Sequence, residues 1–387
     1  MHVKVSRLWG LVAVAALLML LVGCGSSDDD GASPAARGGG DSSGYLARAR
    51  ADLEQLYDGT DEQPPASGAK AQDGKTVWLI SCAEAAEGCA VFSQEAKKAA
   101  AELGWRMTVF DGNFNANNAY ATGVRQAVAA RADGIILSGV DCDQVKQPLK
   151  EAKAAGVETV EANGASDCSD NQLASATVIP ASEQRTPHDW YVAWGQHKAT
   201  WTIAQLGGRG KVLNFALSGV AHTVPVDAGF RQGMDACTEC EVETIDVTLT
   251  DLSSNGFVQK VSDALVRNPD ARVIVVPYDN LVTGGIAPAL RHAGNPDVDV
   301  LGGEGLESNI ELIRSDSGQT ADIAYDTGWT AWGAADTLNR VFAGEEQVPE
   351  GFGFTAMDAE HNLPEGRGAF VSKVDFRAGY RKVWAGS

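Results

Sequence analysis

The sequence predicts an α/β protein built from two doubly wound parallel-sheet lobes. Short apolar strand patterns alternate with amphipathic helical patterns from residue 75 onward, and the alternation restarts after an irregular stretch near residues 165–180. Continuous apolar strands separated by helices indicate a parallel sheet that is covered on both faces. The chain has 387 residues, which suffices for two such lobes because domains usually contain about 100 to 200 residues.

The first lobe is predicted to contain four strands and three helices. The strand patterns cover residues 75–81, 105–110, 134–138 and 157–161. The helical patterns cover residues 92–103, 115–131 and 144–155, and a glycine follows the first and the last of them. Glycine commonly ends a helix because it accepts the left-handed backbone conformation at that point.

The second lobe repeats the same alternation. Its strand patterns cover residues 211–217, 242–249, 271–277, 298–302 and 320–325. Its helical patterns cover residues 189–206, 228–235, 256–267, 282–293, 308–314 and 329–342. Ligands of such sheets bind at the carboxyl ends of the strands, so the residues that follow each strand are the candidates for a site.

Residues 1–23 have the pattern of an export signal, with two positive charges ahead of an apolar run at residues 8–22. This run is shorter than a membrane span, which needs about 20 residues. It ends in Leu-Val-Gly-Cys, which resembles the lipobox of bacterial lipoproteins, where the cysteine is acylated and becomes the mature N-terminus. We therefore expect a signal peptide at residues 1–23 and a lipid on Cys24. An ordinary secretory signal is the alternative.

Residues 24–74 are predicted to form a flexible tether. They contain Ser-Ser-Asp-Asp-Asp, Gly-Gly-Gly and Pro-Pro runs, with one short helical pattern near residues 45–57. This is the composition of an extended, self-repelling linker, so we expect no chemistry there.

The charge of the chain argues against a nucleic-acid partner. The sequence has 31 Lys and Arg against 51 Asp and Glu, a formal net charge of −20, and no basic stripe. Binding to phosphates needs clustered Lys and Arg, which this sequence lacks.

The cysteines indicate local disulfides. Cys24 is assigned to the lipid, and an exported chain is oxidised, so the other six cysteines are expected to pair with their neighbours in the sequence. The pairs are Cys82 with Cys89, Cys142 with Cys168, and Cys237 with Cys240. The alternative for residues 237–240 is a redox or zinc element, although such a CxxC normally opens a helix or has a second ligand pair.

Motifs of common enzymes are missing from the sequence. It has no GxSxG and no HExxH. The glycine-rich residues 207–211 lie between a helix and a strand, whereas a phosphate loop leads from a strand into a helix. His188 and His197 fall on opposite sides of one helix, which disfavours a metal site. We therefore expect no enzyme activity, no metal and no cofactor.

Five segments, taken in order, resemble one family. They are Glu-Leu-Gly-Trp at 102–105, Ala-Asp-Gly-Ile-Ile-Leu-Ser at 132–138, Asp-Ala-Gly-Phe-Arg-Gln-Gly at 227–233, Val-Pro-Tyr-Asp at 276–279, and Val-Leu-Gly-Gly-Glu-Gly at 300–305. In this order and spacing the chain from about residue 75 to 380 resembles the periplasmic sugar-binding proteins of the ribose-binding type, which are the receptors of ABC importers.

The resemblance implies the type I periplasmic-binding-protein fold, in which three strands of a hinge connect the lobes. The crossings would fall near residues 164–180, 325–327 and 351–357. The N-terminal lobe would then contain residues 75–165 and 327–350. The C-terminal lobe would contain residues 181–325 and 357–387.

The resemblance also implies a set of ligand-binding residues between the lobes. Asp279 matches an aspartate that accepts hydrogen bonds from sugar hydroxyls. Glu161 and Glu304 stand where the family often has aspartates, and Asn163 takes over part of the polar role near Glu161. Tyr325 stands where the hinge commonly has glutamine.

Three further residues are candidates for ligand binding because of their positions in the chain. Asp326 and Trp329 lie at or directly after the second hinge crossing, and His222 lies in a loop at the edge of the cleft. Helix capping, packing and ordinary turns are the alternative roles for these strand-end and loop residues. Trp190, Trp194 and Trp201 share one helix and are expected to pack in the core.

Two departures from the family pattern alter the expected ligand. Val226 stands where many relatives have an arginine that donates to sugar oxygens. The paired aromatic residues early in the first lobe are also missing, and the loop at residues 82–89 takes their place. A cleft with carboxylates and no donor arginine favours a ligand with many OH or NH donors or a positive charge.

These observations together predict a lipid-anchored receptor on the extracytoplasmic face of the cell membrane. It would act as a monomer, bind a small polar ligand such as a sugar or polyol, and deliver it to an ABC permease. The alternative is a ligand-sensing input protein for a membrane receptor kinase or chemoreceptor.

Overall fold

The computed structural model of the protein describes residues 42–165, 168, 173–252, 254, 256–294 and 297–386. Within these residues the strands are β1 (Thr76–Ser81), β2 (Arg106–Asp111), β3 (Gly134–Ser138), β4 (Glu158–Ala162), β5 (Ala176–Thr177), β6 (Gly210–Ser218), β7 (Cys240–Thr248), β8 (Ala271–Val275), β9 (Asp299–Gly302), β10 (Ala321–Ala324) and β11 (Thr355–Asp358).

The helices of the described chain are α1 (Ser42–Asp58), α2 (Glu87–Glu102), α3 (Ala119–Ala129), α4 (Lys146–Ala154), α5 (Pro187–Gln205), α6 (Thr223–Met234), α7 (Leu249–Leu252), α8 (Gly256–Arg267), α9 (Asp279–Leu281), α10 (Ala287–Ala293), α11 (Glu307–Arg314), α12 (Thr327–Ala343) and α13 (Phe376–Ala385). A wide π-type turn over Val282–Ile286 joins α9 to α10.

The first lobe is a parallel sheet with the strand order β2-β1-β3-β4-β5. Successive residues of β3 point to opposite faces, as the pleat requires. Ile136 belongs to the cluster that includes α2 and α12, whereas Ile135 and Leu137 belong to the cluster that includes α3 and α4. The sheet is therefore buried on both faces, which explains why its strands are apolar throughout.

The second lobe is a sheet with the strand order β11-β10-β9-β8-β6-β7, in which β11 alone runs antiparallel to its neighbour. Val273 and Val275 of β8 pack on the side that includes α5 and α6, and Ile274 packs on the side that includes α8 and α10. The prediction of two doubly wound lobes is confirmed.

Several predicted helices begin elsewhere than expected, among them the one predicted at 92–103, which begins at Glu87. The helix predicted at 115–131 begins at Ala119, because five residues of Asn113–Asn118 have a positive φ and interrupt any helix there. The helix predicted at 228–235 begins earlier, at Thr223. The strands β5 and β11 were not predicted, since two and four residues are too short for a period to be detected.

The lobes are connected at the places that the hinge prediction named. The chain crosses after β5, between β10 and α12, and again between α12 and β11. The first and third crossings lie side by side, with a bridge between Ile179 and Pro349 and a hydrogen bond from Gly351 N to Pro180 O of 2.7 Å.

The last helix corrects the proposed lobe boundary. We assigned residues 357–387 to the C-terminal lobe, but α13 packs against α12 of the first lobe. Trp384 stacks on Trp332 with ring centroids 5.4 Å apart, and its Nε1 donates to Asp336. The chain therefore returns to the first lobe after β11.

The prediction of a flexible tether is wrong for residues 42–74, which we call the N-terminal strap. Its helix α1 packs against α5 of the second lobe. Leu56 is 2% exposed, and Tyr57 Oη donates to Asp358 Oδ2 at 2.5 Å. The Ser-Ser-Asp-Asp-Asp and Gly-Gly-Gly runs that suggested a linker lie outside the described residues, whereas α1 has a buried side that includes Ala49 and Leu56.

The remainder of the strap runs beside the hinge to the first lobe. Asp61 accepts a hydrogen bond from Gly353 N at 2.7 Å, and Gln72 N donates to Asn339 Oδ1 at 2.8 Å. Trp105 Nε1 donates to Gln72 O at 2.8 Å. The strap thus contacts both lobes before β1 begins.

All three predicted disulfides are present in the structure. The Cα atoms are 5.9 Å apart for Cys82 and Cys89, 5.7 Å for Cys142 and Cys168, and 5.3 Å for Cys237 and Cys240. The last pair is bonded and leads into β7, so the redox or zinc alternative receives no support; the described residues also include no cluster of metal-binding side chains.

The predicted signal peptide at 1–23 and the acylated Cys24 lie outside the described residues. Among the residues that the structure describes, no helix has both the length and the apolar character to cross a membrane.

Candidate functional site

The candidate site is the cleft where the carboxyl ends of the strands of both sheets meet. The lobes touch each other across it. Tyr191 Oη, on α5 of the second lobe, donates to Asn163 O of the first lobe at 2.9 Å. Ser308 N of α11 donates to Glu87 Oε1 of α2 at 3.3 Å. The structure therefore has its two lobes closed.

The first lobe contributes Asp141, Glu161 and Asn163. Asp141 follows β3 and accepts a hydrogen bond from Ala165 N at 2.7 Å. Glu161, fully buried on β4, accepts one from Gly164 N. Asn163 has a φ of +58°, a conformation that asparagine tolerates better than most residues, and it turns the chain back after β4. The two carboxylates thus stabilise the turn at 163–165 while lying at the cleft.

The second lobe contributes Glu304, which follows β9 in an unusual backbone conformation. Its φ is +130°, a region that residues with side chains rarely adopt and that marks functional sites when it is maintained by its surroundings. Glu304 Oε1 lies 3.4 Å from Tyr325 Oη, and Glu304 Oε2 accepts a hydrogen bond from Asp279 N at 3.3 Å. Burial raises the pKa of Glu304 well above its usual range, and the charge of Asp279 raises it further.

Aromatic rings form the wall between these carboxylates. His222 stacks on Tyr191 at 5.5 Å between centroids and meets the edge of Tyr278 at 5.4 Å. Tyr325 meets Trp190 edge to face at 5.0 Å. Burial raises the pKa of Tyr191 well above its usual range, and the charges of Glu161, Asp141 and Glu304 act in the same direction. Carboxylates of both lobes therefore lie close enough to this ring to act on it.

Several buried polar atoms at or beside the cleft have no hydrogen-bond partner among the residues that the structure describes. They are Ser81 Oγ at the end of β1, Trp190 Nε1, His222 Nδ1 and Tyr278 Oη. A buried polar group without a partner costs about 1 to 3 kcal/mol, so such groups commonly mark the place of a ligand or an ordered water.

Asp279 supports the cleft from behind. Its carboxylate accepts hydrogen bonds from Gly303 N at 2.9 Å, from Gly305 N at 3.0 Å and from Leu306 N at 2.9 Å. Asp279 therefore fixes the turn that carries Glu304, and these backbone groups occupy much of its hydrogen-bonding capacity.

A buried lysine lies under the same turn. Lys198 Nζ donates to Gly302 O at 2.6 Å and to Val276 O at 3.1 Å, and it lies 4.6 Å from the ring centroid of Trp194. Burial lowers the pKa of Lys198 to about 8, although Asp322, Asp279 and Glu304 oppose this change. Burial and the charge of Asp279 raise the pKa of Asp322 well above its usual range.

The structure brings five of the predicted site residues to the cleft. It places a sixth, Asp279, behind the cleft, where it holds the turn that carries Glu304. Those at the cleft are Glu161, Asn163, His222, Glu304 and Tyr325.

Two other predicted residues are placed elsewhere. Asp326 caps α12 by accepting from Trp329 N at 3.0 Å, and it accepts from Ser372 N at 2.9 Å. Trp329 stacks on Phe376 of α13 at 5.0 Å and donates to Glu350 O at 3.1 Å. These two assignments to the cleft are wrong, because the first turn of α12 points into the first lobe, where α13 covers it.

Four residues of the cleft were missed by the sequence reasoning. Ser81, Asp141 and Tyr278 all end or closely follow a strand, so the rule that ligands bind at strand ends would have included them. Tyr191 lies on α5 among residues that were expected to pack in the core, and no local signal distinguishes it from them.

The sequence matches a family that is described as a periplasmic binding protein domain, over residues 85–346. No curated protein matches the chain at a significant level.

Solved structures similar to this chain include several solute-binding proteins. One is an ABC transporter solute-binding protein from Agrobacterium vitis with bound α-D-tagatopyranose, at 19% identity and a TM-score of 0.64, covering 77% of this chain and 100% of that chain. An ABC sugar transporter subunit from Rhodobacter sphaeroides has 19% identity and a TM-score of 0.63, covering 75% and 99%. A Bacillus halodurans solute-binding protein with bound myo-inositol has 16% identity and a TM-score of 0.61, covering 74% and 96%. At these identities the similarity shows a shared fold.

Proposed function

This chain belongs to the periplasmic binding protein domain family, which confirms the resemblance seen in the sequence, and on that premise we propose that it is the solute-binding receptor of an ABC importer. The receptor closes its two lobes on a small hydroxylated molecule, either sugar-like or a polyol. The similar structures with bound tagatopyranose and myo-inositol support this ligand class.

The observation that carries the proposal is the meeting of polar side chains from both lobes in one buried cleft. Asn163 and Tyr191 join the lobes, with Glu161 on the first-lobe side and Glu304 and Tyr325 on the second-lobe side. Carboxylate oxygens accept hydrogen bonds from ligand hydroxyls, and the aromatic rings exclude water from the same volume. A ligand that contacts both lobes stabilises the closed state relative to the open one.

In the proposed mechanism the hinge converts binding into a change of shape. The crossings beside Pro180 and Gly351 lie outside the helices and named strands, and such segments can absorb a rotation of one lobe against the other. Closure buries the ligand between Glu161 and Glu304 and produces the surface that a membrane permease recognises. Nothing in this sequence of events requires a chemical step, and each group named acts by binding.

We also propose that Cys24 carries a lipid and holds the receptor at the extracytoplasmic face of the membrane. The support is the apolar run at residues 8–22 followed by Leu-Val-Gly-Cys. An anchored receptor remains near its permease, whereas a freely diffusing receptor would move away from it.

A thermal-shift screen of the purified protein tests the binding function. The panel contains aldoses, ketoses, polyols and amino sugars, because a ligand that binds only the folded state raises the melting temperature. The expected result is a saturable increase of several degrees with at least one compound. Failure of every compound, at concentrations up to the millimolar range, would contradict the proposal.

Metabolic labelling with a fatty acid tests the anchor. The protein is expressed in a bacterial host that processes lipoproteins, and the expected result is incorporation of label and fractionation with membranes. Cys24→Ser should abolish both effects. Equal labelling of the wild type and the variant would refute acylation at this cysteine.

A further inference from the structure

We infer that the ligand of this cleft carries a protonated amine in addition to its hydroxyl groups, because carboxylates of both lobes border the cleft beside a wall of aromatic rings. The inference rests on the proposed function and specifies its ligand class.

Carboxylates from both lobes border the cleft. Asp141 and Glu161 hold the first-lobe turn at residues 163–165, where Asn163 O accepts from Tyr191 Oη, and Glu304 lies 3.4 Å from Tyr325 Oη. Ion pairing is the usual way in which a protein compensates buried carboxylates.

The charge of Lys198 acts on Glu304, but the hydrogen bonds of Lys198 go to other groups. Lys198 donates to two backbone carbonyl oxygens, Gly302 O and Val276 O, and lies over Trp194 beneath the turn at residues 302–305. It therefore lies behind that turn. Burial lowers the pKa of His222, which disfavours a positive charge on its ring.

The aromatic wall suits an ammonium group. Tyr191, Tyr278 and Tyr325 lie around the carboxylates, and their rings attract a cation placed within about 6 Å of a face. The centroids of His222 and Tyr191 are 5.5 Å apart, and those of His222 and Tyr278 are 5.4 Å apart, so these rings line one continuous surface. A carboxylate beside aromatic faces binds an ammonium by charge and by cation–π attraction together.

A second, independent observation indicates a polar ligand in the same place. Ser81 is fully buried and its Oγ has no partner among the described residues, and the same is true of the buried atoms Tyr278 Oη and His222 Nδ1. Each can exchange a hydrogen bond with a ligand hydroxyl. The ligand therefore needs hydroxyl groups as well as the amine, as in an amino sugar or an amino polyol.

The charge state of Glu304 is consistent with a cationic ligand. Burial and the charge of Asp279 raise its pKa, whereas Lys198 lowers it. The titratable groups that face Glu304 are those of the strand ends and of α5: Asp279, Tyr278, Asp322, Tyr325, Tyr191 and Lys198. An ammonium beside Glu304 would favour its ionised form, whereas a neutral sugar offers no such compensation.

Isothermal titration calorimetry with matched pairs tests the inference. Glucosamine is compared with glucose and galactosamine with galactose, and N-acetylglucosamine serves as the control in which the amine has lost its charge. We expect the amine to bind at least about 10-fold more tightly than its neutral partner, and acetylation to remove that advantage. Neutral sugars that bind as tightly as the amines would overturn the inference while leaving the proposed function intact. If no member of either series binds, the inference is contradicted, while the wider thermal-shift panel decides the proposed function separately.

Charge variants of the protein provide a second test of the inference. Glu304→Gln preserves the shape of the side chain and removes its charge, so it should weaken binding of the amine by about 10-fold and leave any binding of the neutral sugar within about 2-fold. Glu239→Gln removes the same charge from an exposed residue before β7, at the opposite edge of the sheet, and should change neither affinity. An equal loss for both sugars in Glu304→Gln would show a contact with a hydroxyl group and overturn the inference.

Discussion

At the scale of single residues, the cleft depends on two backbone conformations of positive φ, one in each lobe. Asn163 has a φ of +58° and Glu304 a φ of +130°. Each conformation is maintained by buried carboxylates: Glu161 accepts from Gly164 N, and Asp279 accepts from Gly303 N and Gly305 N. The acidic residues of this region thus have two tasks, since some fix the turns and others remain for the ligand.

Asp279→Ala should lower the free energy of unfolding by about 3 kcal/mol, because it removes the acceptor of three buried N–H groups. Urea unfolding measures this change. The neighbouring variant Asn280→Ala, at an exposed position, should remain within about 0.5 kcal/mol of the wild type. A stable Asp279→Ala protein that no longer binds ligand would instead assign Asp279 to direct ligand contact.

Glu304→Gln should make the unliganded protein more stable near neutral pH. The pKa of Glu304 is raised on folding, so the folded state holds this proton more tightly and the free energy of unfolding falls as the pH rises above the ordinary value of 4.5. Glutamine removes that loss. The advantage of the variant should disappear below pH about 4, where the wild-type carboxyl is protonated in both states. Urea unfolding across this range measures the effect, and a variant less stable at every pH would contradict the pKa assignment.

At the scale of elements, the N-terminal strap is the segment whose structure was predicted wrongly from its composition. Residues 24–74 have the composition of a linker, yet Ala49 and Leu56 are buried against the second lobe and Ala69 is buried as well. The two alanines bury little area each and carry a weak apolar signal, so long-range packing decides the structure here. Only part of the segment, residues 42–74, lies within the described chain.

Leu56→Ala should lower the free energy of unfolding by about 3 kcal/mol, because Leu56 is 2% exposed and its truncation leaves a cavity between α1 and the body of the protein. Arg48→Ala, on the exposed side of the same helix, is the matched control and should have an effect below about 0.5 kcal/mol. Equal, small effects of both substitutions in urea unfolding would show that the strap does not pack on the second lobe in solution.

The regular elements of both lobes were predictable because they are buried on both sides. Continuous apolar strands such as β3 and β8 can be recognised by their composition. The helices between them can be recognised because their apolar residues recur with a period of about 3.6 residues. The strands β5 and β11 contain too few residues for such a signal. The position of α13 depends on contacts with α12 that are distant in sequence, as between Trp384 and Trp332, and no local pattern encodes them.

At the scale of the whole molecule, the site residues at the ends of strands could be predicted from the sequence. Those whose position depends on the orientation of a helix could not. Glu161 and Glu304 could be predicted because each ends or follows a strand of a parallel sheet. Trp329 and Asp326 follow a strand too, but α12 turns them into the first lobe. Tyr191 reaches the cleft from α5 through tertiary packing alone. The general location of a site is therefore set by topology, and its full composition requires the packed structure.

The closed arrangement of the lobes depends on a glycine. Gly88 lies in the first turn of α2, and a Cβ at this position would be 2.8 Å from Glu304 Oε1 of the opposite lobe and 3.8 Å from Leu306 Cδ1. A leucine at this position would displace the Glu304 carboxylate and crowd Leu306, so we expect it to oppose closure. Each lobe would remain intact, because leucine is a better helix former than glycine.

The most direct test of the account is the thermal shift of Gly88→Leu beside the wild type, with the strongest ligand of the sugar, polyol and amine panel. Ligand should raise the melting temperature of the wild type by several degrees and leave that of the variant nearly unchanged, while the unliganded proteins melt within about 2 °C of each other. An equal ligand-induced increase in both proteins would contradict the central claim that the ligand binds between the closed lobes.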